Sequence, residues 1–293
     1  MISAEDLFKL VSFSNEPFEV HSCLAHALAI QRFAKIRRII LDRIENLYLH
    51  VPEGNEPHVI SLLEKAPDIY ELAILLHDIG KLLPLYQCSN EIKSFFGHEI
   101  FSFYILYEAF RNEDVVKALN VDHNYWSYIV YVPLLPVLLH HSAHRWVFQG
   151  EIIRRLKNFI TSHNKQALKC AQHYSEALSR VLNRTCLCLG TANEICKVIT
   201  DKAREIVIDI INKGYNNIVD HVQVMLSELE DVYPLNRDIN VSQILEASTP
   251  ILTALLQLSD RLAAKIVRCG GFEEHDIKAL SFLLRKLNTN LQM

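Results

Sequence analysis

The chain has 293 residues, of which 50% are hydrophobic, and its formal net charge is −4. This length suffices for a sizeable core, and the charge excludes a global basic field that would attract nucleic acid, so any polyanion must be held locally. The chain starts without a secretory signal and has no apolar run of the roughly 18 residues that span a membrane, which favours a cytoplasmic protein with no membrane contact and with reduced, buried cysteines.

Apolar residues recur at three- and four-residue spacing along almost the whole chain, as in residues 24–49 and 251–267. This period predicts helices, and the alternating runs typical of strands are few. Pro133 and Pro136 forbid a regular helix through them, so we expect a helix from about Pro136 onward. Turn residues interrupt the helical pattern at 51–57, 87–97, 120–124, near Gly150, at 212–214 and at 233–238.

The pattern predicts an all-α fold in a single domain of residues 1–293. Residues from about 150 to 240 have amphipathic helical spacing but little chemistry in their side chains. We interpret them as a helical accessory region inserted before the last core helices.

The stretch LLHDIGKLLPLY, residues 75–86, places charged groups among leucines and isoleucines. An ionised carboxylate taken out of water is costly unless an opposite charge lies beside it, so Asp78 requires a partner. Imidazole and carboxylate groups bind divalent transition metals, so a metal ion can be that partner. Further ligand-type residues in apolar segments join His77 and Asp78 in the ordered set H…HD…H…HH…D: they are His21, His98, His140, His141 and Asp260.

This ordered set resembles the HD superfamily of metal-dependent phosphohydrolases. More narrowly, LLHDIGK followed by GHE, a histidine pair and a late SDRLAA is similar to the HD nuclease of type I CRISPR interference systems. The chain resembles the version that stands apart from the helicase, because Gly80 and Lys81 lack the earlier glycine of a helicase phosphate loop. The resemblance covers roughly residues 15–150 and 245–270, and it implies an HD-domain helical bundle with that core and an insertion at about 150–240.

The resemblance also implies a role for each site residue, with Asp78 as a carboxylate that bridges two metal ions. Two ions about 3.5 to 4 Å apart can activate a water and neutralise the charge that builds on phosphoryl oxygens. The mixed ligands favour Mn²⁺, Ni²⁺, Co²⁺ or Fe²⁺, and Mg²⁺ can also serve. One ion would be held by His21, His77, Asp78 and Asp260, and the second by Asp78, His98, His140 and His141.

Lys81 follows Asp78 by three residues and His77 by four, so a helix would put all three on one face. We assign Lys81 to the scissile phosphate or the leaving oxygen, beside Asp78 as the other catalytic residue. His26 is an alternative to His21 as the first ligand, but FEVH at residues 18–21 aligns better with the usual motif of the family.

Other residues are weaker candidates. Basic runs at 34–43 and 154–157 could contact a nucleic-acid backbone, but such runs are more often solvated helix faces, and neither carries interleaved aromatic residues. Groups that could support a ligand or stack on a base are His144, Glu99, Tyr125, Trp126 and Trp146.

Together these features lead us to expect a metal-dependent nuclease that cleaves DNA, preferably single or displaced strands, in CRISPR antiviral defence. The resemblance implies two partners, a separate helicase subunit and an RNA-guided surveillance complex. Delivery by these partners would suit the modest net charge. Alternatives are an HD phosphohydrolase that acts on nucleotides or cyclic dinucleotides, and a non-catalytic HD module that serves as a scaffold.

Overall fold

The computed structural model describes residues 10–13, 16–48, 68–88, 95–120, 134–141, 150–170, 174–189, 194–235 and 239–269. Within these ranges the chain is almost entirely helical, which confirms the all-α fold class. The exception is a short antiparallel hairpin of β1 (Val11–Phe13) and β2 (Glu16–Pro17). None of the described helices combines the length and apolar character that crossing a bilayer requires.

The helices are numbered in chain order. They are α1 (Phe18–Tyr48), α2 (68–75), α3 (Pro84–Gln87), α4 (His98–Arg111), α5 (Glu113–Leu119), α6 (134–139), α7 (Gly150–Cys170), α8 (Tyr174–Cys186), α9 (Glu194–Lys213), α10 (Tyr215–Leu235) and α11 (Ile239–Cys269). Two 3-10 helices, Ile79–Leu82 and Leu187–Leu189, follow α2 and α8.

The stretch that contains His77 and Asp78 lies at the centre of the core. Every residue from 72 to 86 is buried. Helices α1 and α11 pack against each other along their length, and α4 packs against the 3-10 helix Ile79–Leu82 and against α9. Because water does not reach this stretch, each polar group in it requires a partner inside the protein.

The helices between residues 150 and 235 pack onto the same core. Helix α7 contacts α3, α9 contacts α4 and α5, and α8 contacts α1. Buried side chains such as Leu156, Ile199 and Val207 belong to one hydrophobic cluster with those of α4. The predicted limits of the core and of the insertion stay predictions.

The segment before the histidine pair differs from its prediction. Helix α6 covers residues 134–139, so it begins before Pro136 and ends where a turn places His140 and His141. Pro136 is tolerated because it lies in the first turn, where a backbone N–H has no partner within the helix.

Two disulfide bonds join cysteines within the described residues, contrary to the prediction of reduced thiols. Cys23 is bonded to Cys188 and Cys186 to Cys196, with Cα–Cα distances of 5.6 and 5.8 Å. The first bond joins α1 to the 3-10 helix after α8, and the second joins α8 to α9. Nothing in the sequence marks these cysteines as partners, and Cys23 and Cys188 are 165 positions apart along the chain.

Candidate metal centre

His77 and Asp78 lie in a turn of residues 76–78, the His-Asp turn, which connects α2 to the 3-10 helix Ile79–Leu82. The prediction that they occupy a regular helix is therefore wrong. The backbone of Asp78 has φ −96° and ψ 9°, the bridge region in which many active-site residues are found. The 3-10 helix that follows brings Lys81 back over Asp78, and Lys81 Nζ lies 2.6 Å from Asp78 Oδ2.

Gly80 holds the His-Asp turn against the start of α4. Its N–H donates a hydrogen bond of 2.8 Å to Ser102 Oγ. A Cβ atom at this position would lie 2.2 Å from the carbonyl oxygen of His98 and 2.7 Å from the backbone nitrogen of Ser102. Because both are backbone atoms that cannot swing away, the close approach requires glycine.

The structure brings the seven predicted metal ligands together in two groups that share Asp78. Within each group, the ligand atoms lie within 4.8 Å of one another. Group A consists of His21, His77, Asp78 and Asp260, and group B of Asp78, His98, His140 and His141. All of these residues are buried except His141, which is exposed.

Three of the buried histidines are held in the same way by the backbone. In each, Nδ1 lies within hydrogen-bond distance of the carbonyl three residues earlier. A carbonyl can only accept, so Nδ1 carries the proton and Nε2 has a free lone pair when the ring is neutral. The pairs are His77 with Ile74 at 2.7 Å, His98 with Phe95 at 2.6 Å, and His140 with Val137.

Four inward-facing atoms of the two groups lack hydrogen-bond partners. The Nε2 atoms of His77, His98 and His140 and the Oδ1 atom of Asp78 are all buried without one. Unpaired buried polar atoms are rare in proteins because each has lost its water. Imidazole nitrogens and a carboxylate oxygen converging in this way fit a divalent transition metal, for which all of them are suitable ligands.

The carboxylates of the centre are ionised at neutral pH. Burial by itself raises the pKa of Asp78, but the charges of His77 and Lys81, with the His140 and His21 rings beside it, bring it well below the usual value. Burial likewise raises the pKa of Asp260, but a hydrogen bond from His21, with the His77 ring beside it, lowers the pKa further than burial raises it. Lys81 thus provides part of the positive charge that the sequence assigned wholly to metal.

The histidines of the centre differ in basicity. Burial lowers the pKa of His21, but hydrogen bonds to Asp260, Asp78 and Glu16 raise it well above the ordinary value. The residue His141 is exposed, but its ring lies beside those of His140 and His98, and partial desolvation of the ring with the charges of these two histidines lowers its pKa. In the metal-free protein His21 therefore holds a proton that a metal ion must displace.

In the folded chain His21 lies among the other ligand-type residues of group A, whereas His26 does not. His26 is buried, its Nε2 has no hydrogen-bond partner, and it belongs to neither group. Burial lowers its pKa to about 4. His26 is therefore a neutral core histidine at physiological pH.

Glu16 is a residue of the centre that the sequence did not indicate. Its Oε1 lies 2.6 Å from Nδ1 of His21. No spacing rule marks this contact, because it joins the hairpin to the first turn of α1. Glu99, a predicted supporting residue, lies 3.4 Å from Nδ1 of His98. Four other candidates, His144, Tyr125, Trp126 and Trp146, lie outside the described residues.

Residues 26–140 match the model of the HD domain family. Comparison with curated proteins and with solved structures found no match. The match supports the resemblance to the HD superfamily within these residues. It leaves out three members of the ligand groups: His141, which directly follows it, and His21 and Asp260, which join the matched residues only through the fold.

Proposed function

We propose that the chain is a metal-dependent nuclease that hydrolyses phosphodiester bonds of DNA, preferably single or displaced strands. We further propose that it acts in CRISPR antiviral interference in the cytoplasm, with a separate helicase subunit and an RNA-guided surveillance complex as partners. The observation that carries the nuclease proposal is the pair of four-residue ligand groups that share one carboxylate.

Each of the two carboxylate oxygens of Asp78 faces the histidines of one ligand group. Oδ2 lies 3.3 Å from Nε2 of His21 and 3.5 Å from Nε2 of His77. Oδ1 lies 3.0 Å from Nε2 of His98 and 3.7 Å from Nε2 of His140. A carboxylate placed in this way can serve two ions at once, which supports a binuclear centre over the single-metal site of the nucleotide-hydrolysing alternative.

The protein holds this centre with residues suited to a phosphodiester substrate. A bound pair of divalent ions would activate a water and neutralise charge on the phosphoryl oxygens. Lys81 would add a further positive charge, because its Nζ lies within 2.6 Å of the shared carboxylate. We propose that it contacts the scissile phosphate or the leaving oxygen.

An exposed basic surface of α7 borders the loop that leads into group B. Arg155 lies over the ring of Phe96, with the guanidinium carbon 5.5 Å from the ring centroid. Leu156 occupies the space beside Gly97, where an added Cβ would lie 2.6 Å from Leu156 Cδ1. This packing fixes Arg155 close to the residue that precedes His98. The basic run at 154–157 carries no interleaved aromatic residue, but the fold places Phe96 beside Arg155. This pair of an arginine and an aromatic ring favours a nucleic-acid strand as substrate.

A substrate panel tests this proposal. The purified chain is incubated with Mn²⁺, Mg²⁺ or Ni²⁺ and with single-stranded DNA, duplex DNA, RNA, nucleoside triphosphates and cyclic dinucleotides. We expect cleavage of DNA that Asp78→Ala abolishes. Hydrolysis of the nucleotides but not of DNA would instead support the phosphohydrolase alternative, and metal content without any hydrolysis would support the scaffold.

Arg155→Ala provides the sharper comparison. If α7 contacts the strand, this variant raises KM for single-stranded DNA but leaves hydrolysis of bis(p-nitrophenyl) phosphate, which is too small to reach the surface, unchanged. Arg180→Ala, at an exposed position of α8, is the matched control. Equal DNA kinetics for the two variants would exclude α7 as a contact surface.

A further inference from the structure

Glu16 lies against the outer side of the His21 ring. Its Oε1 is 2.6 Å from Nδ1, while Nε2, on the opposite side of the ring, is 2.9 Å from Asp260 Oδ1 and 3.3 Å from Asp78 Oδ2. An ionised carboxylate has no proton to donate, so the proton of this contact resides on Nδ1. Once a metal ion displaces the proton of Nε2, Glu16 keeps the remaining proton on Nδ1, so the lone pair of Nε2 is directed toward the other ligands of group A.

His21 differs in this respect from the other buried histidines of the centre. His77, His98 and His140 each donate to a neutral backbone carbonyl. His21 lies inside the first turn of α1, and its Nδ1 faces β2 rather than a backbone carbonyl of its own helix. A side chain from β2 supplies its acceptor instead, and that acceptor is charged. A carboxylate behind a ligating imidazole makes the imidazole a stronger ligand than a carbonyl does.

Glu16 is itself firmly held. It is 3% exposed, so its charge needs a partner, and its Oε2 lies 3.4 Å from Nε of Arg268. Arg268 is on α11, the same helix that carries Asp260. The interaction therefore joins the hairpin to the helix that provides another ligand of group A.

The hairpin is also attached, through Gln87, to the 3-10 helix that follows the His-Asp turn. The side-chain amide of Gln87 donates to the carbonyls of Val11 and Lys81, each at 2.7 Å, and its oxygen accepts from the N–H of Val11 at 3.0 Å. Val11 pairs with Pro17, the residue after Glu16. Glu16 is thus fixed relative to both the turn and α11.

We infer that Glu16 is the positioning residue for His21, held in place by Arg268, and that its charge sets the metal affinity of group A without changing that of group B. This inference rests on the proposed binuclear centre. It concerns the ring orientation and basicity of His21, because Glu16 belongs to neither ligand group.

Calorimetric titration of the metal-free chain with Mn²⁺ tests the inference. Glu16→Ala removes the acceptor and leaves a buried N–H without a partner, so we expect one of two binding events to weaken by about 10- to 100-fold. Glu16→Gln retains an acceptor oxygen without the charge, so the same event should weaken by less. The other binding event should keep the affinity of the wild type in both variants.

Glu19→Ala is the matched control. Glu19 is in the same turn of α1 as His21, but its carboxylate contacts Arg184 at 3.6 Å rather than a metal ligand. Both Mn²⁺ affinities should be unchanged in this variant. If Glu16→Ala fails to fold, as judged by circular dichroism, Glu16→Gln decides the question. Wild-type affinities at both sites in Glu16→Gln and Glu16→Ala would overturn the positioning role alone. A wild-type chain that binds no Mn²⁺ would overturn the binuclear centre and the inference with it.

Discussion

Lys81 and Asp78 form an ion pair inside the core, with side chains 8% and 0% exposed. A buried carboxylate with a lysine at 2.6 Å is partly neutralised before any metal is bound. The arrangement explains how a chain without metal tolerates an aspartate amid leucines. A bound metal ion and the ammonium group of Lys81 would therefore both neutralise the negative charge of Asp78.

We therefore expect Lys81→Met to destabilise the metal-free chain by about 1–3 kcal/mol, because it removes the closest opposite charge from a buried carboxylate that keeps protonated His21 at 3.3 Å. Mn²⁺ should restore most of this loss, since the ion replaces the missing positive charge. The measurement is urea unfolding in EDTA and in excess Mn²⁺. Equal destabilisation in both conditions would argue that Lys81 supports the fold and does not compensate the charge of Asp78.

His26 provides a pH test at the scale of one residue. Its pKa is about 4 in the folded chain against 6.5 for an unperturbed histidine. Between pH 6.5 and pH 4, His26 binds a proton in the unfolded chain but not in the folded chain. The stability contributed by neutral His26 is therefore present above pH 6.5 and is lost as the pH falls to about 4. The loss should amount to about 3 kcal/mol.

The wild type should therefore lose about 3 kcal/mol relative to His26→Leu between pH 7 and pH 4, measured by urea unfolding in EDTA. Mn²⁺ affinity at pH 7 should be the same for both proteins, because His26 is in neither ligand group. A variant that binds one Mn²⁺ fewer would instead identify His26 as a ligand.

At the scale of elements, the centre depends on a turn where the sequence predicted a helix. Apolar residues continue through 69–86, so hydrophobic spacing alone does not reveal that α2 ends at residue 75. Gly80, which follows the turn, packs against the first turn of α4, a contact that belongs to the tertiary structure and that hydrophobic spacing does not show. Cys23 and Cys188 similarly attach α1, two residues after His21, to the accessory helices.

Gly80→Ala should displace the His-Asp turn from α4, because the added Cβ meets backbone atoms at 2.2 and 2.7 Å. We expect a loss of at least about 1–3 kcal/mol in the free energy of unfolding and weaker Mn²⁺ binding in group B, whose His98 begins α4. Gly150→Ala is the control, since nothing lies within 4 Å of its added Cβ. Thermal unfolding and calorimetry measure the two effects. Matching stabilities for the two variants would contradict the close packing.

At the scale of the whole molecule, the centre joins parts of the chain that are far apart in sequence. His21 and Asp260, whose side chains are 2.9 Å apart, are separated by 239 positions. Their segments, with the His-Asp turn, α4 and α6, converge only in the folded chain. Metal binding is therefore linked to the global fold.

We expect Mn²⁺ at about 100 times Kd to raise the free energy of unfolding by about 2.7 kcal/mol for each occupied group. EDTA should reverse the effect. Asp260→Ala, which leaves group B intact, should retain about half of the stabilisation. The measurement is the urea midpoint with and without metal. An unchanged midpoint would show that the folded chain has no preference for metal over the unfolded one.

The amino-acid sequence by itself determined the helical class and the ordered set of ligand-type residues. Both can be recognised from short segments of the chain. Helical periodicity is a local pattern, and a histidine or aspartate within an apolar segment stands out from its neighbours. Only the tertiary structure decided that His21 rather than His26 joins the set, that Lys81 pairs with Asp78, and that Glu16 supports His21. These depend on which distant segments pack together, and spacing along one segment carries no information about a partner that arrives from another.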